Sequence, residues 1–389
     1  MYYPLRFHAV YKDYIWGGRS LADLGKILPE GKRVAESWEI SAHPNGVSVI
    51  ANGPLAGISL TDACSKLRRS LLGTGLSDED LYRFPLLIKL IDAHDRLSVQ
   101  VHPDDDYADR YENGETGKNE MWYVVSAGPD ARLIAGVKPG VDRAAFASAL
   151  ADGTCLDLLQ EIPVQAGDAL NIPSGLVHAI CQDLVICEIQ QNADTTYRVF
   201  DYNRRDDAGK TRPLHIEKAL DVIDFSRHDT TPLIQGLIIE EDHLRRRILV
   251  LNRYFLVEEL TVNGKTEFTC DGSRFSTLTV IGGKGSISWR NEAGHLISDP
   301  LFAGDSLLLP ASLSAWEITG NLKMISSKPS LFLSDAAWLA DRLKLKAASS
   351  PDEASNFLTA LDEAASQGLI ALDPKPVEHS GSGTAPAPV

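Results

Sequence analysis

The sequence predicts a mainly β protein, built as barrels or sandwiches with inserted and C-terminal helices. Two observations carry this. Short runs of β-branched and aromatic residues, punctuated by glycine and proline, dominate the N-terminal half, and one turn–strand–turn phrase occurs twice along the chain. In order, the strand-like runs are Trp38–Ser41, Leu86–Ile91, Leu97–Val101, Met121–Val125, Leu133–Ala135 and Val185–Ile189. Apolar residues at a spacing of about 3.6 interrupt them, predicting helices over 60–82, 142–160 and, more weakly, 216–224. Leu331 to about Leu345 and Pro351 to about Ile370 read as two further helices, the second opened by Ser350-Pro351-Asp352-Glu353, a capping residue followed by proline at the first helical position. From Asp373 the chain is rich in proline, serine and glycine and is expected to be disordered.

Composition removes several classes. The chain has 389 residues, 44% hydrophobic, long enough for more than one domain. No apolar run reaches the eighteen or more residues of a membrane span, and Met1-Tyr-Tyr-Pro-Leu-Arg6 lacks a signal-peptide core. Five scattered cysteines form no C-x-x-C pair, which disfavours a disulfide framework or thiolate metal site and fits the cytoplasm. A net charge of −15 argues against nucleic acid as a partner. It also means that an anionic substrate would be repelled by the overall field, so local cations would have to hold it.

The side chains that carry chemistry are Gln100, His102, Glu120 and His178. Gln100-Val101-His102 places two side chains on one face of a strand. Imidazole, carboxylate and amide oxygen together suit a divalent ion such as zinc, in an open site with an exchangeable position. The twice-used phrase is Ala166-Gly-Asp-Ala-Leu-Asn-Ile-Pro173 and Ala303-Gly-Asp-Ser-Leu-Leu-Leu-Pro310. Gly-Asp-x-x-x-x-Pro with a histidine five residues after the proline resembles the hallmark of cupin jelly rolls. The first copy has that histidine, His178; the second has Ala315. The expectation is therefore two cupin-type barrels, of which only the first binds metal. The corresponding division is a catalytic domain over 1–235 with helical insertions at about 58–84 and 140–162, a metal-free barrel over 236–330, C-terminal helices over 331–372, and a tail over 373–389.

Six segments in order resemble the type I mannose-6-phosphate isomerases of the shorter bacterial branch. They are Tyr14-Ile-Trp-Gly-Gly18 with Ala35-Glu-Ser-Trp-Glu-Ile-Ser41, Phe84-Pro-Leu-Leu-Ile-Lys89, Ser98-Val-Gln-Val-His-Pro-Asp-Asp105, Gly117-Lys-Asn-Glu-Met-Trp-Tyr-Val124, Ile172-Pro-Ser-Gly-Leu-Val-His-Ala179 and Glu188 through Asp201. The likeness runs from about residue 5 to 225 and is loose beyond 240. It implies that Gln100, His102, Glu120 and His178 hold one Zn2+ per chain, that Arg198 is the active-site arginine, and that Ser98 and Lys118 bind phosphate. Lys89 and Trp16 would line the pocket. Glu188 and Asp194 match acidic positions; either could move the proton or merely orient its neighbours, and a metal-bound water or another side chain stays open as the base. The implied reaction interconverts mannose 6-phosphate and fructose 6-phosphate through an enediolate, with a small phosphosugar as partner and a monomer or homodimer as the assembly. The remaining histidines read as ordinary surface or loop residues.

Three rival readings are an isomerase of this fold acting on another aldose or aldose phosphate, an iron cupin oxygenase, and a non-catalytic sugar-binding protein that keeps the metal cage. Gln100 in place of a first histidine counts against the second. Lys118 and Arg198, which a purely structural barrel does not need, count against the third.

Overall fold

The computed structural model describes residues 2–206, 208–226, 233–342, 361–362 and 364–372. Three sheets make up its body, antiparallel except where Ala371–Leu372 runs parallel to Leu244–Leu251. A six-stranded sheet runs Ala169–Ile172, Glu120–Ala127, Leu184–Gln191, Leu86–Ala93, Glu36–Ile40, Val10–Lys12, and a five-stranded sheet runs Tyr197–Phe200, Val99–Val101, His178–Ile180, Arg132–Val137, Leu159–Pro163. These two face each other as the first barrel. A ten-stranded sheet supplies the second, with the main path Leu237–Glu241, Leu244–Leu251, Phe255–Thr269, Ala315–Pro329, Ser276–Arg290, Ser306–Leu309, Leu5–His8, Val49–Ile50.

The six-stranded sheet is covered on both faces. That explains why Leu86–Ala93 and Leu184–Gln191 are buried along their whole length and read as nearly continuous apolar runs rather than alternating ones. One face lines the first barrel. Residues of the other face, among them Met121, Tyr123, Cys187, Ile189, Ile88 and Leu90, join one continuous core with Leu260, Leu278 and Met324 of the second barrel. Polar contacts pin the junction. Tyr123 Oη donates to Glu259 Oε2 at 2.7 Å, and Arg247 lies 3.3 Å from the same carboxylate. The Arg247 guanidinium also donates to the carbonyls of Gly167, Ile234 and Gln235.

All six expected strands are present, each within a few residues of its sequence bounds. The helical stretch at 60–82 is three short helices, Leu60–Leu67, Arg69–Leu72 and Asp78–Tyr82. Its first break falls at Arg68, whose φ is 44°, and its second at Gly73. A Cβ on Gly73 would sit 2.2 Å from the Ser273 carbonyl oxygen, so only glycine lets this segment lie against the second barrel. The stretch at 142–160 is a helix over Arg143–Asp152, capped by the Asp142 carboxylate on the Ala145 N–H and stopped by left-handed Gly153, followed by a 3-10 turn over Cys155–Leu158. Phe332–Arg342 is helical as expected. The opening of the helix expected from Pro351 and the tail from Asp373 lie outside the described residues. Among the described residues no helix is long and apolar enough to cross a membrane.

Strand Leu5–His8 pairs with Ser306–Leu309, with Leu5 opposite Leu308, whereas Val10–Lys12 pairs with Glu36–Ile40. The segment before residue 235 therefore contributes strands to both barrels.

Replacing Arg247 by methionine would leave buried Glu259 with only the more distant Arg245, at 3.6 Å, as its cation, and three carbonyls without a donor. The expected cost is about 3 kcal/mol. Urea unfolding measures it, and an unchanged midpoint would show that the junction does not depend on this residue.

Candidate active site

Strand register brings the candidate ligands together. In the five-stranded sheet Arg198 lies opposite Gln100, and Gln100 opposite His178, so one row across three strands carries three of the residues singled out from sequence. Period-two alternation sets Ser98 and His102 on the same face as Gln100. In the facing sheet Glu120 opens its strand opposite Gln190, and the next inward row is Trp122, Glu188, Lys89 and Trp38.

His102, Glu120 and His178 converge, their ligand atoms all within 4.8 Å of one another. His102 Nδ1 lies 2.9 Å from the Thr195 carbonyl and His178 Nδ1 lies 2.8 Å from the Leu176 carbonyl. A carbonyl only accepts, so each neutral ring keeps its proton on Nδ1 and turns the Nε2 lone pair inward. The two Nε2 atoms sit 3.2 and 3.7 Å from the Glu120 oxygens. The amide nitrogen of Gln100 is 3.4 Å from His178 Nε2, and half a turn of that amide presents its oxygen instead.

Glu120 is fully buried, and neither of its oxygens receives a hydrogen bond. Lys118 Nζ stands 2.8 Å from one of them. Burial works against the Glu120 charge, but Lys118 and His102 outweigh it and hold this carboxyl well below its usual range. Burial, with His102 beside it, holds His178 down to about 3, so both groups present lone pairs rather than protons at neutral pH. A buried carboxylate without hydrogen bonds, facing two imidazole lone pairs, fits a divalent cation.

A chain of contacts extends from this centre to the arginine. Arg198 Nε donates to Ser98 Oγ at 3.1 Å, and Ser98 Oγ lies 3.4 Å from Gln100 Oε1. Arg198 also donates to the Pro213 carbonyl, and among the described residues it has no carboxylate within ion-pair reach. Asp201, three residues after Arg198 and a plausible partner by sequence, is instead taken by Arg204 and Arg212. The guanidinium is thus left available for an anion.

One row further in, Lys89 Nζ lies 3.0 Å from Glu188 and 3.9 Å from Glu36, and the Trp122 indole donates to Glu188 at 2.8 Å. Burial raises the Glu188 carboxyl above its usual value, Glu120 adding to the rise. Burial alone would lower Lys89, yet Glu188 and Glu36 outweigh it and raise it. Asp194 accepts from the Asn45 amide at 2.7 Å. Against the effect of burial, Lys89 and Lys118 hold it below its ordinary value. Trp16 is buried in the apolar interior of the barrel, with Tyr14 at a ring distance of 5.8 Å. A cleft of about 890 Å³ lies by the helices Asp78–Tyr82 and Asp105–Tyr111 and is lined by none of these residues.

Sequence reasoning passed over several neighbours. Glu36 and Asn45 hold Lys89 and Asp194. His43 lies in a loop, as expected, but it is not an ordinary one: it is buried against Trp38 and accepts from the Asn45 N–H, with Glu115 at 3.4 Å. The alternation of Glu36 and Trp38 on one strand face was a usable signal for Glu36. Asn45 had none, because its partner lies far along the chain.

A cupin barrel with a buried His–Glu–His group at one end and cations beside it defines a metal-site cupin enzyme. Comparison with known proteins narrows this. The family model described as the catalytic domain of type I phosphomannose isomerase matches residues 5–124, and that of the mannose-6-phosphate isomerase cupin domain matches residues 246–329. The second match shows that the likeness, loose by eye beyond residue 240, extends through the second barrel. Mannose-6-phosphate isomerase ManA of Bacillus subtilis is 37% identical over 324 residues, 83% of this chain and 98% of the relative. Mannose-6-phosphate isomerase of Streptococcus mutans is 38% identical over 326 residues, again 83% and 98%. The crystal structure of the Bacillus subtilis mannose 6-phosphate isomerase superposes with a TM-score of 0.76 at 34% identity, covering 83% of this chain and 99% of that one. The chain belongs to the type I phosphomannose isomerase family, on its shorter bacterial branch, and its enzyme class is mannose-6-phosphate isomerase.

Lys89→Met is expected to destabilise the fold by about 3 kcal/mol, because Glu188 stays buried without its cation. The double variant Lys89→Met/Glu188→Gln should recover most of that loss in chemical denaturation. Equal losses in the single and double variants would mean that packing of the lysine stem, not its charge, is what matters.

Proposed function

We propose that this chain interconverts mannose 6-phosphate and fructose 6-phosphate through an enediolate, at a single zinc-loaded site in the first barrel. The observation that carries the reading is the fully buried Glu120 carboxylate, bare of hydrogen bonds, set between two inward-turned imidazoles. Gln100, His102, Glu120 and His178 would hold the ion, one per chain, and when bound it supplies a Lewis acid beside the sugar oxygens.

The remaining chemistry belongs to the side chains. In a chain of net charge −15, an anionic sugar phosphate needs local cations, and Lys118, Arg198 and the Ser98 hydroxyl are contiguous with the ligand set. Arg198 is permanently charged and presents a planar fork, suited both to the phosphate and to the negative charge that grows on the substrate as its proton leaves. Lys89 and Trp16 complete the pocket wall. Moving the proton between C2 and C1 needs a base whose proton affinity is not too low. Glu188, raised by burial, meets that requirement better than Asp194, which its lysine neighbours hold ionised. Asp194 then serves to orient Lys89 and Lys118. A same-fold isomerase of another aldose shares the ligand set and differs in what Arg198 and Lys118 receive.

The deciding experiment is a coupled assay for fructose 6-phosphate, run before and after chelation and after zinc is returned, with unphosphorylated mannose in parallel. Loss on chelation, recovery with zinc and a strong preference for the phosphate support the reading. Turnover indifferent to chelation, or a metal-loaded protein inert toward mannose 6-phosphate, would sink it. Arg198→Ala should lower kcat by about 10²–10³ without unfolding the protein. Exchange of the C2 hydrogen of the substrate with solvent should disappear in Glu188→Gln and survive in Asp194→Asn if Glu188 is the base.

A further inference from the structure

The second barrel has a cavity of about 550 Å³ at its mouth, within the range of small-molecule sites. The side chains around it repeat the first barrel's arrangement with the charges exchanged. Starting from the strand after each Gly-Asp turn, both barrels build the same run of neighbours: Ala169–Ile172, Glu120–Ala127, Leu184–Gln191, Leu86–Ala93 in one, and Ser306–Leu309, Ser276–Arg290, Ala315–Pro329, Phe255–Thr269 in the other. In the first barrel the last of these strands carries the buried cation Lys89, flanked by Glu188 on the preceding strand and Glu36 on the following one. In the second it carries the buried anion Glu258, flanked by Lys328 on the preceding strand at 3.6 Å and Arg246 on the following one at 3.0 Å.

Two more features point to a ligand. Phe268 and Trp316 are cross-strand partners whose rings are nearly parallel, 4° apart with centroids at 5.9 Å, and form an aromatic shelf lining the cavity. Trp316 is only 9% exposed, yet its indole N–H has no hydrogen-bond partner among the described residues. Buried polar groups are seldom left without one, and this one sits on a ring that lines an open space.

Charge decides the ligand class. Each cation at the cavity is matched: Arg246 to Glu241 and Glu258, Arg274 to Asp335, Lys328 to Glu258 and Arg342 to Glu241. A phosphate would have to displace a carboxylate from its own arginine. A metal ion would find Glu241, Glu258 and Asp335 already paired to these cations, and Ala315 stands where the first barrel has its histidine. A neutral ring with one face of C–H groups and a rim of hydroxyls meets neither obstacle. Its flat face suits the shelf, and hydroxyls that both donate and accept suit paired carboxylates and guanidinium groups.

We propose that the mouth of the second barrel binds an unphosphorylated monosaccharide, stacked on Phe268 and Trp316 and hydrogen-bonded among Glu258, Arg274 and Asp335. The site is separate from the metal-site residues of the first barrel and does not depend on the reading of that site.

The test is saturation-transfer NMR and calorimetry on the full chain with methyl α-mannopyranoside and methyl α-glucopyranoside, which have no free carbonyl form to isomerise. Saturable binding at millimolar sugar is expected, weakened about tenfold or more by Trp316→Leu and by Ser334→Trp. Ser334 is exposed on the helix Phe332–Arg342 and lines the cavity, so a tryptophan there blocks the mouth without touching the core. Both variants should keep the kcat of the parent, and Arg198→Ala should keep the sugar binding. Absence of saturable binding overturns the proposal. So does binding that Arg198→Ala abolishes while Ser334→Trp retains it, which would place the sugar in the first barrel. Displacement of the glycoside by inorganic phosphate from a site that Ser334→Trp blocks would make this an anion site and overturn the assigned ligand class.

Discussion

Keeping the charge of Glu120 in a place that water does not reach is the constraint on which the first barrel depends. A carboxylate buried without hydrogen bonds is expensive; the Lys118 ammonium offsets its charge, while two imidazoles from two further segments turn lone pairs toward it that add to the negative potential. Each partner is itself anchored. Carbonyls of Thr195 and Leu176 fix the tautomers of the two histidines, and the Arg198–Gln100–His178 row fixes their spacing through sheet register. A slip of one residue in that pairing would turn every one of these side chains to the opposite face. The site is therefore only as precise as the ladder beneath it.

The six-stranded sheet carries Lys89 and Glu188 on its inner face among apolar residues such as Val124, Leu170 and Ile186, and it buries a second apolar surface on its outer face. Tyr123, Cys187, Ile189 and Leu90 are buried in the core shared with the second barrel. In this sense the second barrel is structural support for the first, whatever else it binds.

Much of the first barrel was legible in the sequence because its signals are local. Gln100 and His102 differ by one strand period, Glu120 opens a run of apolar residues, and the Gly-Asp turn with its proline marks the strand before His178. The helix at 60–82 was legible as helical but not as broken, since the contact that demands Gly73 comes from Ser273, two hundred residues away. Asn45 and His43 were invisible for the same reason: their partners Asp194 and Glu115 are neighbours only after the fold closes. The exchanged charges of the two barrels were also out of reach, because nothing in the spacing of Glu258 and Lys328 says that they share a pocket with Arg246 until the strands are aligned.

The strand Leu5–His8 is made about three hundred residues before its partner Ser306–Leu309. Phe7 and His8 can pair early with Val49–Ile50, but Leu5 and Arg6 wait for Leu307 and Leu308, and closing so long a loop is slow. Over that interval a nascent chain carries a half-paired strand end, so the pace of synthesis, and not only the stability of the finished fold, bears on its exposure to aggregation.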